Sequence, residues 1–498
     1  MTDTVASSLI SDTKKRPRSN EDEDILLNLS QWITAAPHES GFCHEAVQWK
    51  AETRELTVSQ DIAKDTQVFV VPASCIVTAQ RTEKVSLPKP RQQLHHGIDD
   101  VLLAWYLAAK PPTLEAYLAS LPMVDIANAL PRRWSAALRQ HALHGSPVLA
   151  HVEAQKRGVA QDYEIMVQTV MISDQDDNEK RPSLEAFDQA LAVVSSRAFA
   201  GTTEGSACLI PLLDLCNHQR GGGTKNLRYA WDDHGNMVVH ATRTILAQQD
   251  SLRITYGAQS NAQLLVNYGF CIPDNVEPDG SSNNVYEFKP TPSSSTIALR
   301  VGPKSYTYGP LVQVIEALAP PDGERRGAAD DDDGHDDGGP DDMEAFLNEC
   351  EEEGDEEEEG CGDNCLYTQP VDEDEEQKED PGANNESAVK KQKRFDRLAL
   401  ENFCERLESL LQNYTENKPP PVLDDTTATK TKLEYAKLLV ESEKETLRFW
   451  QGMVIELLGK LGTDSENART APFVLTDTQK EQIQSLVDAF FQIRYIML

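Results

Sequence analysis

The fold is decided by two stretches of sequence, LIPLLDLCNH at residues 209–218 and ITYGAQSNAQLLVNYGF at residues 254–270. In the first stretch, Asn217 and His218 follow an apolar, strand-like run that ends in Asp214. Polar side chains at the end of a buried strand are stable only where their hydrogen-bonding groups find partners. We therefore take this polar pair as part of a candidate functional site.

The second stretch carries two aromatic–glycine pairs, Tyr256-Gly257 and Tyr268-Gly269, and Phe270 follows the second pair directly. A glycine at the end of a strand permits a ligand to approach the backbone closely. The chain has no GxSxG, HExxH, GxxxxGKS/T or GxGxxG signature, and the two stretches offer few general bases. The candidate site is therefore poorly equipped for hydrolysis.

The flanking sequence alternates between strand-like and helical patterns, which predicts an α+β fold. Short β-branched segments broken by polar turns occupy the regions before residue 98 and after residue 206, and a helical pattern lies between them. From residue 390 onward the pattern is helical to the end. The predicted divisions are a disordered tail (1–22), the two parts of a β-rich domain (23–98 and 201–320), a helical insertion (99–200), an acidic disordered linker (321–388) and a C-terminal helical domain (389–498).

The acidity of the chain is concentrated in one segment. The sequence has 47 Lys and Arg against 82 Asp and Glu, for a formal net charge of −35. Between Asp330 and Asp380 there are 26 acidic residues and a single basic one, Lys378. Such a composition buries too little apolar surface to offset chain entropy, so this linker is predicted to be disordered. Nucleic acid is an unsuitable primary ligand because phosphate binding needs a concentrated positive surface.

Signals for targeting and for metal binding are weak. No run of 18 apolar residues exists and the N-terminus has no secretory h-region, so neither a membrane span nor export is predicted. The basic cluster at residues 14–18 fits either a solvated tail or nuclear import. The nine scattered Cys are interpreted as reduced thiols in the nucleus or the cytoplasm. Cys361 and Cys365 lack the further ligands of a zinc site, so no metal is predicted.

The joint order and spacing of these motifs resembles SET domains with an inserted helical region. This subfamily includes the RuBisCO large-subunit lysine methyltransferase and the actin-histidine methyltransferase. PLLDLCNH resembles its D-x-x-N-H signature, LEAYLASLP at residues 114–122 looks like W-x-x-Y-L-x-S-L-P, and SRAF at residues 196–199 is similar to S-R-x-F. AKLLVESEKETLRFW at residues 436–450 is similar to the helical substrate-binding domain. The resemblance covers roughly residues 24–320 and 388–498.

The resemblance implies a methyltransferase that uses S-adenosylmethionine and acts on a protein side chain. By carry-over, Tyr256 is the catalytic tyrosine, with its hydroxyl near the transferring methyl group, and Tyr268 lines the substrate channel. The guanidinium of Arg197 would meet the cofactor carboxylate in bidentate geometry. The implied cofactor-binding residues are Asn217, His218, Arg197 and Phe270. The implied partner is a protein substrate, and basic proteins such as histones or ribosomal proteins are candidates.

One position departs from the pattern of this subfamily. Its members usually have G-x-G-L in a loop that clasps the methionine end of the cofactor, and the matching stretch here is Thr53-Arg54-Glu55-Leu56. Non-glycine residues are strained if the loop needs a positive φ, and their side chains crowd a close ligand. Thr53 and Glu55 therefore predict either a rebuilt loop or a reduced affinity for the cofactor.

The acceptor side chain is predicted to be lysine rather than histidine. The actin-histidine enzymes have a Trp before the Asp of D-x-x-N-H and an Arg after Y-G-T, whereas this chain has Leu213 and Gln259. An imidazole would thus lose a stacking partner and a polar clamp. A lysine amine must be deprotonated, and an apolar channel beside a positive sulfonium lowers its pKa. The alternatives are histidine methylation, a catalytically silent SET scaffold and an acidic chaperone that binds through residues 330–380.

Overall fold

A computed structural model describes most of the chain, and its helices and strands form the α+β arrangement that the sequence predicts. The described residues are 20–36, 41–50, 55–81, 94–173, 181–203, 206–220, 225–247, 249–278, 280–319, 381–414, 426–462 and 473–495. Most of the predicted N-terminal tail, the position of Thr53 and most of the predicted acidic linker lie outside these ranges. The last predicted linker residues, from Pro381, instead begin a helix, and a proline is well suited to a first helical turn.

Helices dominate the insertion and the C-terminal part. The helices are α1 (Asn20–Thr34), α2 (Ile98–Ala108), α3 (Glu115–Ser120), α4 (Met123–Ala129), α5 (Ala136–Ala142), α6 (Val148–Ser173), α7 (Leu184–Arg197), α8 (Asn261–Tyr268), α9 (Lys304–Leu318), α10 (Pro381–Asn413), α11 (Thr427–Lys460) and α12 (Asp477–Tyr495). The C-terminal part, for which the sequence predicts a helical pattern, contains the three helices α10, α11 and α12 within the described ranges. No helix within the described ranges combines the length and the apolar composition needed to cross a membrane.

The strands are short and are divided among small sheets. They are β1 (Phe42–Cys43), β2 (Val47–Lys50), β3 (Glu55–Val58), β4 (Gln67–Val71), β5 (Val77–Thr78), β6 (Phe199–Ala200), β7 (Ala207–Leu209), β8 (Asn217–His218), β9 (Leu227–Trp231), β10 (Met237–Ala241), β11 (Arg253–Ile254), β12 (Val285–Phe288) and β13 (Ile297–Arg300). The sheets have the orders β1-β4-β10-β9, β5-β7-β6, β2-β3, β12-β13 and β11-β8.

The parallel pair of β8 and β11 brings the two motif stretches together. Arg253 lies opposite Asn217 in this pair, and Ile254 lies opposite His218. The other strand pairs of the named sheets are antiparallel. Because parallel strands end at the same edge, the polar pair of β8 and the tyrosine that follows β11 share one end of the sheet.

The first motif stretch is not the continuous strand-like run that its apolar sequence predicts. Strand β7 ends at Leu209, and a 3-10 turn over Leu213–Leu215 separates it from β8. Leu212 enters this turn with a φ of 69°, which is uncommon for a non-glycine residue. The turn buries Asp214 against hydrogen-bond partners, and this placement is the physical reason for the interruption.

The strands of the first motif region pack with α1, α2 and α7 around one apolar core. The rings of Trp105 and Phe187 approach to 6.2 Å between centroids within this core, and Phe69 is fully buried there. Ser183 caps α7 by accepting a hydrogen bond from a backbone N–H of the first turn. The last residue of this helix is Arg197, so packing of α7 against the core fixes where the guanidinium emerges.

A second core lies among the C-terminal helices. Phe403 of α10 and Trp450 of α11 are fully buried there, with ring centroids 6.2 Å apart. The indole nitrogen of Trp450 donates a hydrogen bond to the carbonyl oxygen of Arg300 at 2.9 Å. Strands β12 and β13 and helix α9, which the sequence places before residue 320, pack in this second core.

Candidate active site

Tyr256 follows β11 directly, and its polar atoms are held by the first motif stretch. The phenol hydroxyl donates a hydrogen bond to the carbonyl oxygen of Cys216 at 2.9 Å, and the backbone N–H donates to His218 Nδ1 at 3.0 Å. Gly257 comes next with a φ of 92°, a conformation that glycine adopts without strain. Burial raises the pKa of the Tyr256 phenol, so the hydroxyl keeps its proton at neutral pH.

His218 is neutral, and its hydrogen bond fixes its tautomer. Because Nδ1 accepts the Tyr256 N–H, the proton of the neutral ring lies on Nε2. Burial lowers the pKa of the imidazole to about 4, and the nearby cations Arg220 and Arg253 act in the same direction. The imidazole ring lies 5.0 Å from the ring of Tyr256, between centroids, at an interplanar angle of 36°. His218 therefore presents an uncharged ring and an N–H donor at physiological pH.

Helix α8 positions the second aromatic pair. A capping box between Ser260 and Gln263 begins the helix, and Gly269 ends it with a φ of 80°. The rings of Tyr256 and Tyr268 are stacked, with centroids 4.9 Å apart and an interplanar angle of 17°.

Phe270 continues this arrangement at the far side of Tyr268. Its ring meets Tyr268 edge to face at 6.1 Å between centroids. Four rings thus follow one another in space, and we call them the aromatic row: His218, Tyr256, Tyr268 and Phe270. Burial, and to a lesser degree the nearby Tyr229 phenol, raises the pKa of Tyr268. All four rings are half-buried, so the row is a partly desolvated surface.

Arg197 lies beside the aromatic row, and the buried residue Asp214 holds its guanidinium in place. Its Nη1 donates a hydrogen bond to the carbonyl oxygen of Asp214 and lies 3.9 Å from Asp214 Oδ2. Tyr117 donates its hydroxyl hydrogen to the same Oδ2 at 2.8 Å. Burial raises the pKa of Asp214 to about 6, although Arg197 and Tyr117 both favour its charged form. Arg197 Nε is buried and has no hydrogen-bond partner among the described residues.

Asn217 contacts Glu55, the residue that the sequence resemblance matches to the second glycine of G-x-G-L. Its Nδ2 donates a hydrogen bond to Glu55 Oε1 at 3.3 Å, and Arg253 Nη2 lies 3.6 Å from the same oxygen. Glu55 is the first residue of β3 and is not among the residues with positive φ. The backbone strain that a non-glycine residue would suffer is thus absent at Glu55, because the position is extended.

The structure also places residues in the site that the sequence did not single out. Tyr229 of β9 lies 5.8 Å from the ring of Phe199, between centroids, and acts electrostatically on Tyr268. Tyr117 contacts the site through its hydrogen bond to Asp214, and Arg253 contacts it through its ion pair with Glu55. A single Tyr in the strand LRYAW gives no sequence signal, because its role depends on which strand lies beside which. Within the described ranges, no group of three or more His, Cys, Asp or Glu side chains is arranged to hold a metal ion.

Comparison with known proteins shows the fold alone. No family model matches the sequence, and no curated protein matches it. The crystal structure of the SET domain of LSMT bound to lysine and AdoHcy is similar at 16% identity, with a TM-score of 0.54 over 88% of this chain and 92% of that chain. The same domain bound to MeLysine and AdoHcy gives 15% identity and a TM-score of 0.58 over 87% of this chain and 93% of that chain.

A third structure supports the same assignment. Rubisco LSMT bound to AdoMet is similar at 15% identity, with a TM-score of 0.57 over 89% of this chain and 93% of that chain. This chain therefore has the fold of a SET domain with its helical additions, and the likeness extends over most of its length. The fold that the sequence resemblance implies is confirmed.

Proposed function

We propose that this protein is an S-adenosylmethionine-dependent protein methyltransferase that modifies a lysine side chain. The observation that carries the proposal is the stacked pair of Tyr256 and Tyr268 beside a half-buried, cationic Arg197 whose Nε is buried. The similar solved structures are of a protein bound to AdoMet, AdoHcy, lysine and MeLysine. The same ligand classes suit the polar and aromatic groups of this site.

The residues of the site fit the charged end of this cofactor. Arg197 Nε is a buried donor with no partner among the described residues, and a ligand carboxylate would satisfy it. Asn217 and the Nε2–H of His218, both in β8, supply further polar contacts. Phe270 at the end of the aromatic row offers an apolar face for the adenine ring. These are the contacts that the sequence resemblance implies.

For methyl transfer, the residues of this chain position the reacting groups and shield them from water. Bound there, S-adenosylmethionine supplies a sulfonium methyl group for in-line attack by a neutral amine. Because the Tyr256 hydroxyl donates its hydrogen bond to the carbonyl oxygen of Cys216, the lone pairs of its own oxygen are free to accept weak C–H hydrogen bonds from a polarised methyl group. Tyr268 covers the ring of Tyr256 and excludes water from one side. A lysine amine in such surroundings loses its proton more readily, so no strong base is required.

Two positions favour lysine over histidine as the acceptor. Leu213 is fully buried and offers no aromatic face for an imidazole. Gln259 Nε2 donates to the carbonyl oxygen of Tyr256 at 3.2 Å, so this amide is engaged within the chain. Neither side chain offers the stacking partner or the polar clamp that an imidazole acceptor would need.

We further propose that the substrate is a basic protein of the nucleus or the cytoplasm. The net charge of −35 supports this, because a polyanionic segment attracts basic partners and speeds their encounter. Salt screens such attraction, so the KM for a basic protein substrate should rise with salt more steeply than the KM for a neutral lysine peptide.

The proposal is tested by cofactor binding and by methyl transfer. Titration calorimetry of the full chain with S-adenosylmethionine should give saturable binding to one site. Radiolabelled S-adenosylmethionine and a cell extract should then give a labelled protein band whose hydrolysate contains methyl-lysine. Absence of binding would refute the cofactor, binding without transfer would favour the silent scaffold, and methylhistidine would refute lysine as the acceptor.

A further inference from the structure

Three strands bring a carboxylate, an amide and a guanidinium to one point of the site. Leu252 N donates a hydrogen bond to the carbonyl oxygen of Leu56 at 2.7 Å, so β3 is fastened to the chain just before β11. The pairing of β8 with β11 sets Asn217 directly opposite Arg253. Glu55, the first residue of β3, contacts both side chains through a single oxygen, Oε1. This juxtaposition depends on backbone pairing and is therefore well defined.

The carboxylate determines how the amide of Asn217 is oriented. A carboxylate only accepts hydrogen bonds, so the amide nitrogen must face Glu55 and the amide oxygen must face away. Neither Asn217 Oδ1 nor Glu55 Oε2 receives a hydrogen bond from any residue in the described part of the chain. Each of these two neighbouring side chains thus keeps one acceptor oxygen without a donor in the described part of the chain, and a ligand with several N–H donors would satisfy both.

The charge at this point is only partly balanced within the chain. The Arg253 guanidinium lies 3.6 Å from Glu55, beyond ordinary hydrogen-bond distance, and both side chains are about three-quarters buried or more, with exposed fractions of 26% and 19%. Partial burial strengthens the attraction of the carboxylate for a further cation because water screens it less. Glu55 therefore favours a positively charged group on the ligand at this position.

We propose that Glu55 is a cofactor-binding residue that, together with Asn217, accepts hydrogen bonds from the α-ammonium group of S-adenosylmethionine. The inference rests on the proposed function, since it assigns one group of that cofactor to one pair of oxygens. It also explains how a chain without glycine at this position keeps a cofactor site: a side-chain carboxylate supplies the acceptor. Glu55 then contributes directly to cofactor affinity and does not block the site.

The test is calorimetry of the full chain with three ligands: S-adenosylmethionine, S-adenosylhomocysteine and the analogue of S-adenosylhomocysteine without its α-amino group. S-adenosylhomocysteine, a thioether, keeps the α-ammonium group and lacks the sulfonium charge. Comparing it with S-adenosylmethionine therefore shows which of the two positive charges responds to the substitution. Glu55→Gln should weaken binding of both amino-containing ligands by about tenfold to a hundredfold. It should leave the Kd of the analogue without the amino group within about twofold of wild type.

A matched control is available on the surface of the insertion. Glu185 also pairs with an arginine, Arg133, at 2.5 Å, but its side chain is 59% exposed and belongs to α7. Glu185→Gln should change none of the three Kd values. The melting temperature of each variant, measured without ligand, reports whether the fold is intact.

The outcomes separate this inference from the proposed function. If Glu55→Gln weakens the binding of all three ligands equally, Glu55 has only a structural role. If the Kd for S-adenosylmethionine is unchanged, Glu55 is not a cofactor-binding residue. Tighter binding by Glu55→Gly would show that the carboxylate obstructs the cofactor. If wild-type protein binds none of the ligands, the proposed function is refuted and the inference with it.

Discussion

Tyr256 combines a hydroxyl that donates to the carbonyl oxygen of Cys216 with a ring that stacks on Tyr268. Tyr256→Phe removes the hydroxyl oxygen and retains the ring that stacks on Tyr268. We expect kcat to fall by about thirtyfold to a thousandfold, because a contact made in the transition state is typically worth about 2–4 kcal/mol. The Kd for S-adenosylmethionine, measured by calorimetry, should stay near the wild-type value.

Tyr163→Phe is the matched control for this substitution. The Tyr163 hydroxyl also donates to a backbone carbonyl, that of Pro182, at 3.0 Å, but it lies in the helical insertion. Each variant loses one hydrogen bond from a tyrosine hydroxyl to a backbone carbonyl oxygen. Tyr163→Phe therefore shows how much activity is lost through reduced stability alone. Turnover of Tyr256→Phe at the wild-type rate, or an equal loss in both variants, would contradict the catalytic assignment.

Sequence motifs locate single residues of the site better than they locate the contacts between them. Tyr256, Tyr268 and Arg197 were identified from local strings, and the structure brings them into one region. The contact between Glu55 and Asn217 joins residues 162 positions apart. No local pattern encodes such a contact, because it depends on which strands pair. The roles assigned to these residues stay predictions until binding and turnover are measured.

At the scale of elements, the C-terminal end of α8 shows how backbone geometry supports the aromatic row. Gly269 has a φ of 80°, and a Cβ added there would lie 2.6 Å from Ala129 Cβ and 3.0 Å from the Ala129 carbonyl carbon. Gly269→Ala therefore adds both strain at positive φ and a clash with the end of α4. We expect the free energy of unfolding to fall by about 2–4 kcal/mol, measured as a lower urea midpoint with an unchanged m-value.

Gly280→Ala separates the two contributions. Gly280 has a φ of 85°, similar to that of Gly269, but no atom lies within 4 Å of its added Cβ. The free energy of unfolding of this control should fall by only about 1 kcal/mol, which is the cost of strain at positive φ without a clash. If the two variants are destabilised equally, close packing of Gly269 against Ala129 contributes nothing.

A helix with a regular apolar stripe is predictable from the sequence, and a buried charge within the stripe makes the prediction harder. Helix α7 shows clear periodicity and a Ser183 cap, and the sequence identifies it. Helix α6 was not singled out, although it is 26 residues long. Its inner face includes Asp162, which is fully buried and accepts hydrogen bonds from the backbone of His95 and His96. A charged residue in the apolar stripe weakens the pattern from which a helix is predicted.

At the scale of the whole molecule, the insertion, the site and the C-terminal helices are joined by a shared apolar cluster. This cluster contains Trp134, Leu138, Leu143, Val148, Val152, Leu265, Val266, Cys271, Ala436 and Leu439. The sequence predicts two folded units separated by an acidic linker, whereas the second packed core also includes β12, β13 and α9 from before that linker. Their connection through α8 and α11 could not be predicted, because it depends on side-chain shapes that meet only after both units have formed.

A buried carboxylate lies at this junction. Glu443 of α11 accepts hydrogen bonds from Ser146 Oγ and from the Tyr414 hydroxyl, each at 2.9 Å, and is 4% exposed. Burial raises the pKa of Glu443 from 4.5 to about 7, although the two hydrogen bonds favour the charged form. The phenol of Tyr286 and the thiol of Cys271 also face this carboxylate.

The raised pKa of Glu443 makes the junction sensitive to pH. Since the folded state holds the proton more tightly than the unfolded state, the stabilisation is complete below pH 4.5 and is lost as the pH rises through about 7. Glu443→Gln keeps the size of the side chain and stays neutral at every pH. Its free energy of unfolding should therefore decline less than that of wild type between pH 4.5 and 7, by about 3 kcal/mol. Urea denaturation at half-unit steps of pH measures this difference.

Glu441→Gln provides the control on the same helix. The Glu441 side chain is 52% exposed and pairs with Lys444 at 3.1 Å, so its loss should leave the pH profile parallel to that of wild type. Other buried carboxyls, such as Asp214 with its pKa of about 6, contribute to the wild-type slope and are unchanged in both variants. If the Glu443→Gln profile also runs parallel to wild type, this carboxyl is ionised at the junction throughout the range. The hydrogen bonds from Ser146 and Tyr414 would then outweigh its burial.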